Sequence, residues 1–386
     1  MHYYRDTWIE INLDAIYQNV KHIKQLYAKN HKLFAVVKAD GYGHGAYLVA
    51  KTAIEAGAEC LAVATLDEAI ELRNLNIDAP ILVLGNTRIT DTELAAFYNI
   101  TLTAHNLKWL THLIESYKGR QVHVHLKVDT GMHRIGLLNE QELRVAKQLL
   151  DRSDVVNLTG IYTHMATSDE EDMSYFKQQR NKFKYLLSTI DTEGLIIHLA
   201  NSGATIRFQD DFTNAVRAGI MIYGLSPKPD LQLDFRLKQA ISLYAKLIHV
   251  KQLPKGSKIS YNGIYETKTD EWIGTLAIGY ADGFDRRMQE GEAYIDNNHV
   301  KVVGRICMDQ TMIKLPKYYP EGTIVELIGP HIHVDELAKR LNTINYQVVC
   351  LLSDRLPRLY IQDGKLIKTV NKRLLYTQDK SELSLN

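Results

Sequence analysis

Cysteine is scarce in this chain. Only Cys60, Cys307 and Cys350 occur among 386 residues. So few, and an odd number, exclude a disulfide scaffold and point to a reduced, cytoplasmic compartment. Long hydrophobic runs are missing too. None approaches the about 18 residues a membrane helix needs, so no membrane partner is expected. The opening residues 1–13 include Arg5, Asp6 and Glu10 and lack the apolar stretch of a secretory signal. Excess charge of either sign is also absent. Lys and Arg total 46 against 45 Asp and Glu, a net charge of +1. That balance leaves no broad basic footprint for nucleic acid. No internal repeat and no low-complexity tract interrupts the chain.

What is present is core-forming: 45% of residues are hydrophobic. The length exceeds one ordinary core and argues for two domains, unless one of them is a barrel. Twenty-two tyrosines and 15 histidines leave open a polar site.

Short β-branched runs recur at 33–40, 60–65, 81–85, 100–105, 122–129, 157–164, 195–201 and 215–223. Between them, apolar residues fall near helical spacing at 14–28, 47–56, 67–75, 107–114, 141–150 and 175–190. Asp67 and Thr90 have the character of N-caps. Strand and helix alternation predicts a parallel sheet covered by helices, and eight strands are the number of a (β/α)₈ TIM-type barrel. A doubly wound sheet is the alternative. Beyond residue 235 the texture changes. Strand-like runs at 240–250, 272–280, 300–306, 311–315 and 323–328 take over, with one helix at 334–341. The fold class is therefore α/β, a barrel over 1–235 followed by a mostly-β C-terminal domain over 236–386. Residues 226–230, SPKPD, read as the linker.

The densest signal is AVVKADGYGHGA, residues 35–46. Gly41, Gly43 and Ala46 fit the dinucleotide pattern G-x-G-x-x-G/A, but the acidic residue expected about 20 positions on is not cleanly placed. The other reading centres on Lys38, at the C-terminal end of a strand, where barrel enzymes gather catalytic groups. Taken alone, Lys38 reads as a lysine reaching solvent. Neighbouring strands lead into Arg134, His164, Asn201, Ser202 and Arg217, which gathers cationic and hydrogen-bonding groups at one barrel face. Each has an ordinary reading by itself, as a core histidine, a surface arginine or a helix cap. Ser202, Gly203, Gly219 and Ile220 follow strands seven and eight, where barrels bind phosphate through backbone N–H groups. Phosphate plus a reactive lysine suggests pyridoxal 5'-phosphate.

The chain resembles the alanine racemase family along essentially its whole length. The motifs AVVKADGYGHG, VATLDEAIELR, LKVDTGMHRIG, YTHMATSDE, VRAGIMIYGL, IGTLAIGYADG, GRICMDQ and TINYQVVC occur in order. The resemblance implies a pyridoxal-phosphate-dependent isomerase that interconverts L- and D-alanine and supplies D-alanine for peptidoglycan. It implies a homodimer with active sites at the subunit interface. In it the C-terminal domain serves the partner's site, and the first ten or so residues have room to pack with that domain. Lys38 would carry the cofactor as an aldimine and serve one face of the substrate Cα. Tyr261, from the partner subunit, would serve the other. Arg217 would face the pyridine nitrogen, with His164 linking it to the tyrosine. Tyr42, Asn201, Ser202, Gly219 and Ile220 fall among the cofactor contacts. Arg134 and the Met308 N–H would hold the substrate carboxylate, and Lys127 matches a lysine open to carbamylation.

Three positions depart from the family pattern: His133 before Arg134, Asn262 after Tyr261, and Asp354 where some members carry tyrosine. His123/His125 and His331/His333 read as solvated pairs, not as metal ligands, and Cys307 as a packed thiol. The competing functions are a serine or broad-range racemase, a decarboxylase of the same architecture, a cofactor-carrier module and the dinucleotide-dependent dehydrogenase.

Overall fold

The computed structural model describes residues 3–27, 31–228, 231 and 235–375. Two compact units divide the chain. One is Ile16–Gly41 with Gly45–Lys238, and the other takes the described residues of 1–15, 42–44 and 239–386. Residues 28, 229 and 230, at the end of one expected helix and in the expected linker, lie outside the described residues.

After β1 (Thr7–Asn12), which belongs to the second unit, the first unit contains eight parallel strands. These are β2 (Lys32–Val36), β3 (Cys60–Val63), β4 (Ile81–Val83), β5 (Ile100–Ala104), β6 (Val122–Lys127), β7 (Val156–Tyr162), β8 (Ile196–His198) and β9 (Ala215–Ala218). β9 pairs back onto β2, with Phe34 opposite Arg217, and the barrel closes. The expected barrel is borne out, and closure excludes the doubly wound alternative. Helices at Ala46–Glu55, Leu66–Asn74, Leu107–Ser116, Glu140–Asp151 and Ser174–Leu187 occupy the expected segments. Asn106 and Asn139 cap two of them by accepting the N–H three residues on. Two expected caps are displaced. Thr65, not Asp67, caps Leu66–Asn74, in a reciprocal box with Glu68. Thr90 lies inside the short 3₁₀ turn Ile89–Asp91.

The second unit is built on β10 (Ile241–Leu253), β11 (Lys258–Ile259), β12 (Tyr265–Glu266), β13 (Glu271–Leu276), β14 (Glu292–Ile295), β15 (Asn298–Lys301), β16 (Thr311–Leu315), β17 (Ile324–Ile328), β18 (Arg358–Gln362) and β19 (Lys365–Val370). Its main sheet runs β15-β14-β17-β10-β1-β18-β19. β1 is central, antiparallel to β10 and parallel to β18. Ile9 and Ile11 of β1 are fully buried, each worth about 1.5–3 kcal/mol. Arg5 pins the same segment through two bonds to Asp282, at 2.6 and 2.8 Å. The helix Val334–Leu341 is present as expected. Among the described residues, no helix is long and apolar enough to cross a membrane.

Candidate active site

The AVVKADGYGHG segment does not form a dinucleotide loop. Past β2 the backbone turns left-handed for five residues: Ala39, Asp40, Gly41, Tyr42 and Gly43 have φ of 52°, 53°, 60°, 49° and 78°. Left-handed turns cost non-glycine residues about 1–2 kcal/mol each, so the surroundings must hold this one. Glu68 accepts from the Ala39 N–H at 2.7 Å, and Asp40 accepts from the Ala46 N–H at 3.1 Å. The two glycines lower the cost at their positions. Gly43, itself part of the second unit, lies so close to Val349 of that unit that a Cβ there would sit 2.3 Å from the Val349 carbonyl. Lys38 opens this turn and is half-buried. Its charge is among those that depress the His164 imidazole.

Arg217, on β9, is 3% exposed. Its partners are His198 Nδ1 at 2.5 Å, His164 Nδ1 at 3.3 Å and the carbonyls of Thr163 and Leu199. They are imidazoles and main-chain oxygens, not a carboxylate. Burial first, and to a lesser degree the Arg134 charge, lower the guanidinium to about 10 against an opposing pull from Tyr162, yet it remains a cation at neutral pH. Burial and the Arg217 charge push His164 and His198 well below the ordinary imidazole range. Both are therefore neutral.

Lys127, at the end of β6, is 2% exposed and donates to the Val128 carbonyl at 2.8 Å. Burial, followed by repulsion from Arg217, lowers its ammonium to about 7. The next loop is shaped by Asp129, which accepts from the N–H groups of Gly131 and His133 at 2.9 and 3.0 Å. His133 adopts φ 52° and its Nδ1 lies 3.4 Å from the Asp129 carboxylate, so the departure at this position is accommodated locally. The loop presents Arg134 to solvent.

The loops after β8 and β9 meet. Ser202 Oγ accepts from the Gly219 N–H at 2.9 Å. Asn201 caps Ser202–Arg207 by accepting from Ala204 N–H, and Ser168 Oγ donates to it at 2.6 Å. Ser202 and Ile220 begin two short helical turns, whose first N–H groups have no intrahelical acceptor. This donor set suits a phosphate, and a buried arginine without a carboxylate suits an aromatic nitrogen acceptor. With Lys38 at the same end of the barrel, the residues fit pyridoxal phosphate.

The expected residues of the second unit form a separate group. Tyr261 is 66% exposed and Met308 is 53% exposed, and both line one concavity of about 620 Å³. Ser260 and Asn262, flanking the tyrosine, both have φ of 63°, and Ser260 Oγ donates to the Arg305 carbonyl at 2.6 Å. The Met308 loop is anchored by Tyr280 and Ala281 N–H groups donating to the Cys307 and Met308 carbonyls, both at 3.0 Å. Among the described residues, the Met308 N–H meets no acceptor. Tyr42 is buried, edge-on to Tyr346 with ring centres 6.0 Å apart. Asp354 pairs with Arg358 and Lys372, each at 3.6 Å.

One histidine expectation is corrected. His125 is 3% exposed and lies in the barrel interior, bonded to His198 at 2.9 Å. In a closed barrel, alternate residues of every strand point inward, and His125 shares that side with Lys127. His198 and Tyr162 are further polar members of this interior that sequence reasoning missed. Their signal is weak: His198 stands alone in the apolar run LIIHLA, and Tyr162 shares its side of β7 with Leu158 and Gly160. His331 and His333 remain half-exposed and pair with Glu326 and Asp335. No metal-holding cluster occurs among the described residues. Cys307 is a free thiol 3.5 Å from Ser260 Oγ.

A phosphate cradle, a lysine and a buried arginine at the C-terminal end of a (β/α)₈ barrel define a pyridoxal-phosphate barrel enzyme. Comparison with known proteins narrows the class. Residues 11–227 match the alanine racemase N-terminal domain and residues 240–360 the C-terminal domain. The alanine racemase of Geobacillus kaustophilus is 46% identical over 376 residues, covering 96% of this chain and 98% of that protein. Alanine racemase 1 of Bacillus subtilis is 44% identical over 378 residues, covering 96% and 97%. The crystal structure of the Bacillus anthracis enzyme with bound L-Ala-P superposes with a TM-score of 0.93 at 45% identity, covering 98% of this chain and 100% of that one. The chain belongs to the alanine racemase family of pyridoxal-phosphate-dependent isomerases.

Proposed function

We propose that this chain racemises alanine by a two-base mechanism, with Lys38 on one face of the substrate Cα and Tyr261 of the partner subunit on the other. Inversion at Cα removes a proton from one face and returns one to the opposite face, so two separate proton carriers answer the need directly. Bound pyridoxal phosphate supplies the electron sink that acidifies the Cα–H. Lys38 anchors it, and Tyr42, Asn201, Ser202, Gly219 and Ile220 hold its phosphate side. Arg217, always a donor, would face the ring nitrogen of the bound cofactor, with His164 alongside. Arg134 and the Met308 N–H of the partner subunit receive the substrate carboxylate.

The observation that carries this reading is the pair of strained presentations. A left-handed turn presents Lys38 at the barrel mouth, and residues at φ 63° hold Tyr261 out to solvent in its own unit. A tyrosine held exposed beside the exposed Met308 is what a residue serving a second subunit would look like. The reading therefore includes a homodimer, with domains near 1–235 and 236–386 and with residues at the start of the chain packed on the second. It also includes a cytoplasmic location and a supply of D-alanine to peptidoglycan.

Lys127 fits carbamylation. An ammonium lowered to about 7 leaves much of the group as free amine at neutral pH. The amine adds to carbon dioxide and releases one proton, giving a carbamate anion that would steady Arg134.

Purified protein supplied with cofactor is expected to form D-alanine from L-alanine faster than any product from serine. It should release no carbon dioxide, and borohydride reduction should place the cofactor label on Lys38. Lys38→Ala should abolish both turnover and labelling. Cofactor-replete protein that forms no D-alanine would refute the proposal.

A further inference from the structure

Behind Arg217 a string of two imidazoles runs down the barrel axis. Arg217 has only donors, so His198 Nδ1, 2.5 Å away, is the acceptor. A neutral His198 then carries its proton on Nε2. That proton points to His125 Nδ1 at 2.9 Å, which leaves the proton of His125 on Nε2. Each link fixes the next, and the direction of the string is set by the guanidinium at its head. The far end reaches a cavity of about 250 Å³ lined by His125, His123, Cys60, Asn99, Thr101 and Thr159.

The string is built tightly. His198 lies between Tyr162, parallel to within 1° at 4.8 Å, and Phe34, within 19° at 5.0 Å. Tyr162 is tied through its hydroxyl to Thr103 at 2.9 Å. Room for His125 comes from Gly160 on β7. A Cβ there would sit 2.6 Å from the imidazole Cε1 and 2.7 Å from Nε2. Burial keeps His198 neutral and lowers His125 to about 3. The acceptors thus orient the guanidinium without cancelling its charge, as a carboxylate would.

We propose that His198 and, behind it, His125 are positioning residues for the reaction: through one hydrogen-bond string they fix the direction in which Arg217 donates. The proposal rests on the reading that Arg217 faces the cofactor ring nitrogen. Removing the acceptor at His125 leaves the His198 N–H buried and unpaired, which favours the other tautomer or a turned ring. Either change deprives Arg217 of its acceptor and lets the guanidinium move.

The test compares two substitutions of opposite shape and chemistry in the holoenzyme. His125→Phe keeps the ring volume and loses the acceptor. His125→Asn loses volume, but its amide oxygen replaces Nδ1. Positioning predicts that His125→Phe lowers kcat about tenfold or more with a smaller change in KM, whereas His125→Asn loses no more than about threefold. A packing role alone predicts the reverse order, with His125→Asn the more damaged in both kcat and Tm, and that order would overturn the proposal. Nitrogen-15 NMR of histidine-labelled holoenzyme supplies a readout independent of turnover. The expected wild-type result is two neutral rings, each protonated on Nε2. A charged ring, or His198 protonated on Nδ1, would also overturn it. Arg217→Gln separates the underlying reading. If that variant turns over normally, the assignment of Arg217 to the cofactor fails, whatever the tautomers show.

Discussion

The barrel interior and the Tyr261 concavity are polar in opposite ways. Around Arg217, the polar groups are buried, neutral apart from the guanidinium itself, and bonded in a fixed sequence. Around Tyr261 and Met308, the chemistry-bearing groups are exposed, and one backbone N–H has no acceptor among the described residues. The contrast separates two tasks. A buried string sets direction and charge, and it tolerates little change because each unpaired group costs about 1–3 kcal/mol. An exposed group contributes little to its own unit's stability and is free to serve another molecule. The first region should respond to substitution in both stability and turnover, and the second in turnover alone.

Four substitutions sharpen or break that contrast. The largest effect is expected at Tyr261. Tyr261→Phe should lower racemisation by about 10²–10⁴-fold, the usual worth of a positioned proton carrier, while Tm stays within the error of the unaltered protein. A large loss of Tm would make Tyr261 structural. Gly279→Ala comes next. Its Cβ would lie 2.3 Å from the Cys307 carbonyl and 2.4 Å from Met308 C, so the loop must shift. Steady-state assays should show KM for alanine raised about tenfold, since small displacements of a binding group are costly.

In the barrel, Gly160→Ala should act on stability as well as on turnover, because its Cβ meets His125. Overpacking against His125 is expected to cost about 1–3 kcal/mol, read from denaturant unfolding. Lys127 gives the most specific effect, one confined to a pH window. The folded-state ammonium titrates near 7, whereas an unfolded lysine titrates near about 10.4. Between those values the unfolded chain binds the extra proton. Stability should therefore rise with pH across that window, by about 1.4 kcal/mol per unit. In carbon-dioxide-free buffer, Lys127→Met should remove that contribution to the slope.

Much of the barrel was legible because each strand and helix carries its own local period. The caps were less legible: Asp67 and Thr90 were expected, whereas Thr65, Asn106 and Asn139 do the capping. β1 was not legible. TWIEIN is short, and it becomes a central strand only through pairing with residues 241–245 and 358–361, far along the chain. The interior histidines were hidden by geometry. A period of two places His125 and Lys127 on one side of a strand but does not say which side is the barrel axis. The left-handed turn was half visible. Gly41 and Gly43 marked a turn, but Ala39, Asp40 and Tyr42 take positive φ through tertiary support from Glu68 and the main chain near Val349, which no local pattern encodes. Lys38 and Arg217 are marked by their places on expected barrel strands, and Tyr261 only by the ordered motifs.

Hydrogen exchange at the substrate Cα tests the two-base proposal most directly. In deuterium oxide, Tyr261→Phe should lose inversion but still exchange the Cα hydrogen of one enantiomer with retention, because Lys38 continues to serve its own face. Lys38→Ala should exchange neither. Continued racemisation by Tyr261→Phe, or equal exchange into both enantiomers, would contradict the assignment of one carrier to each face.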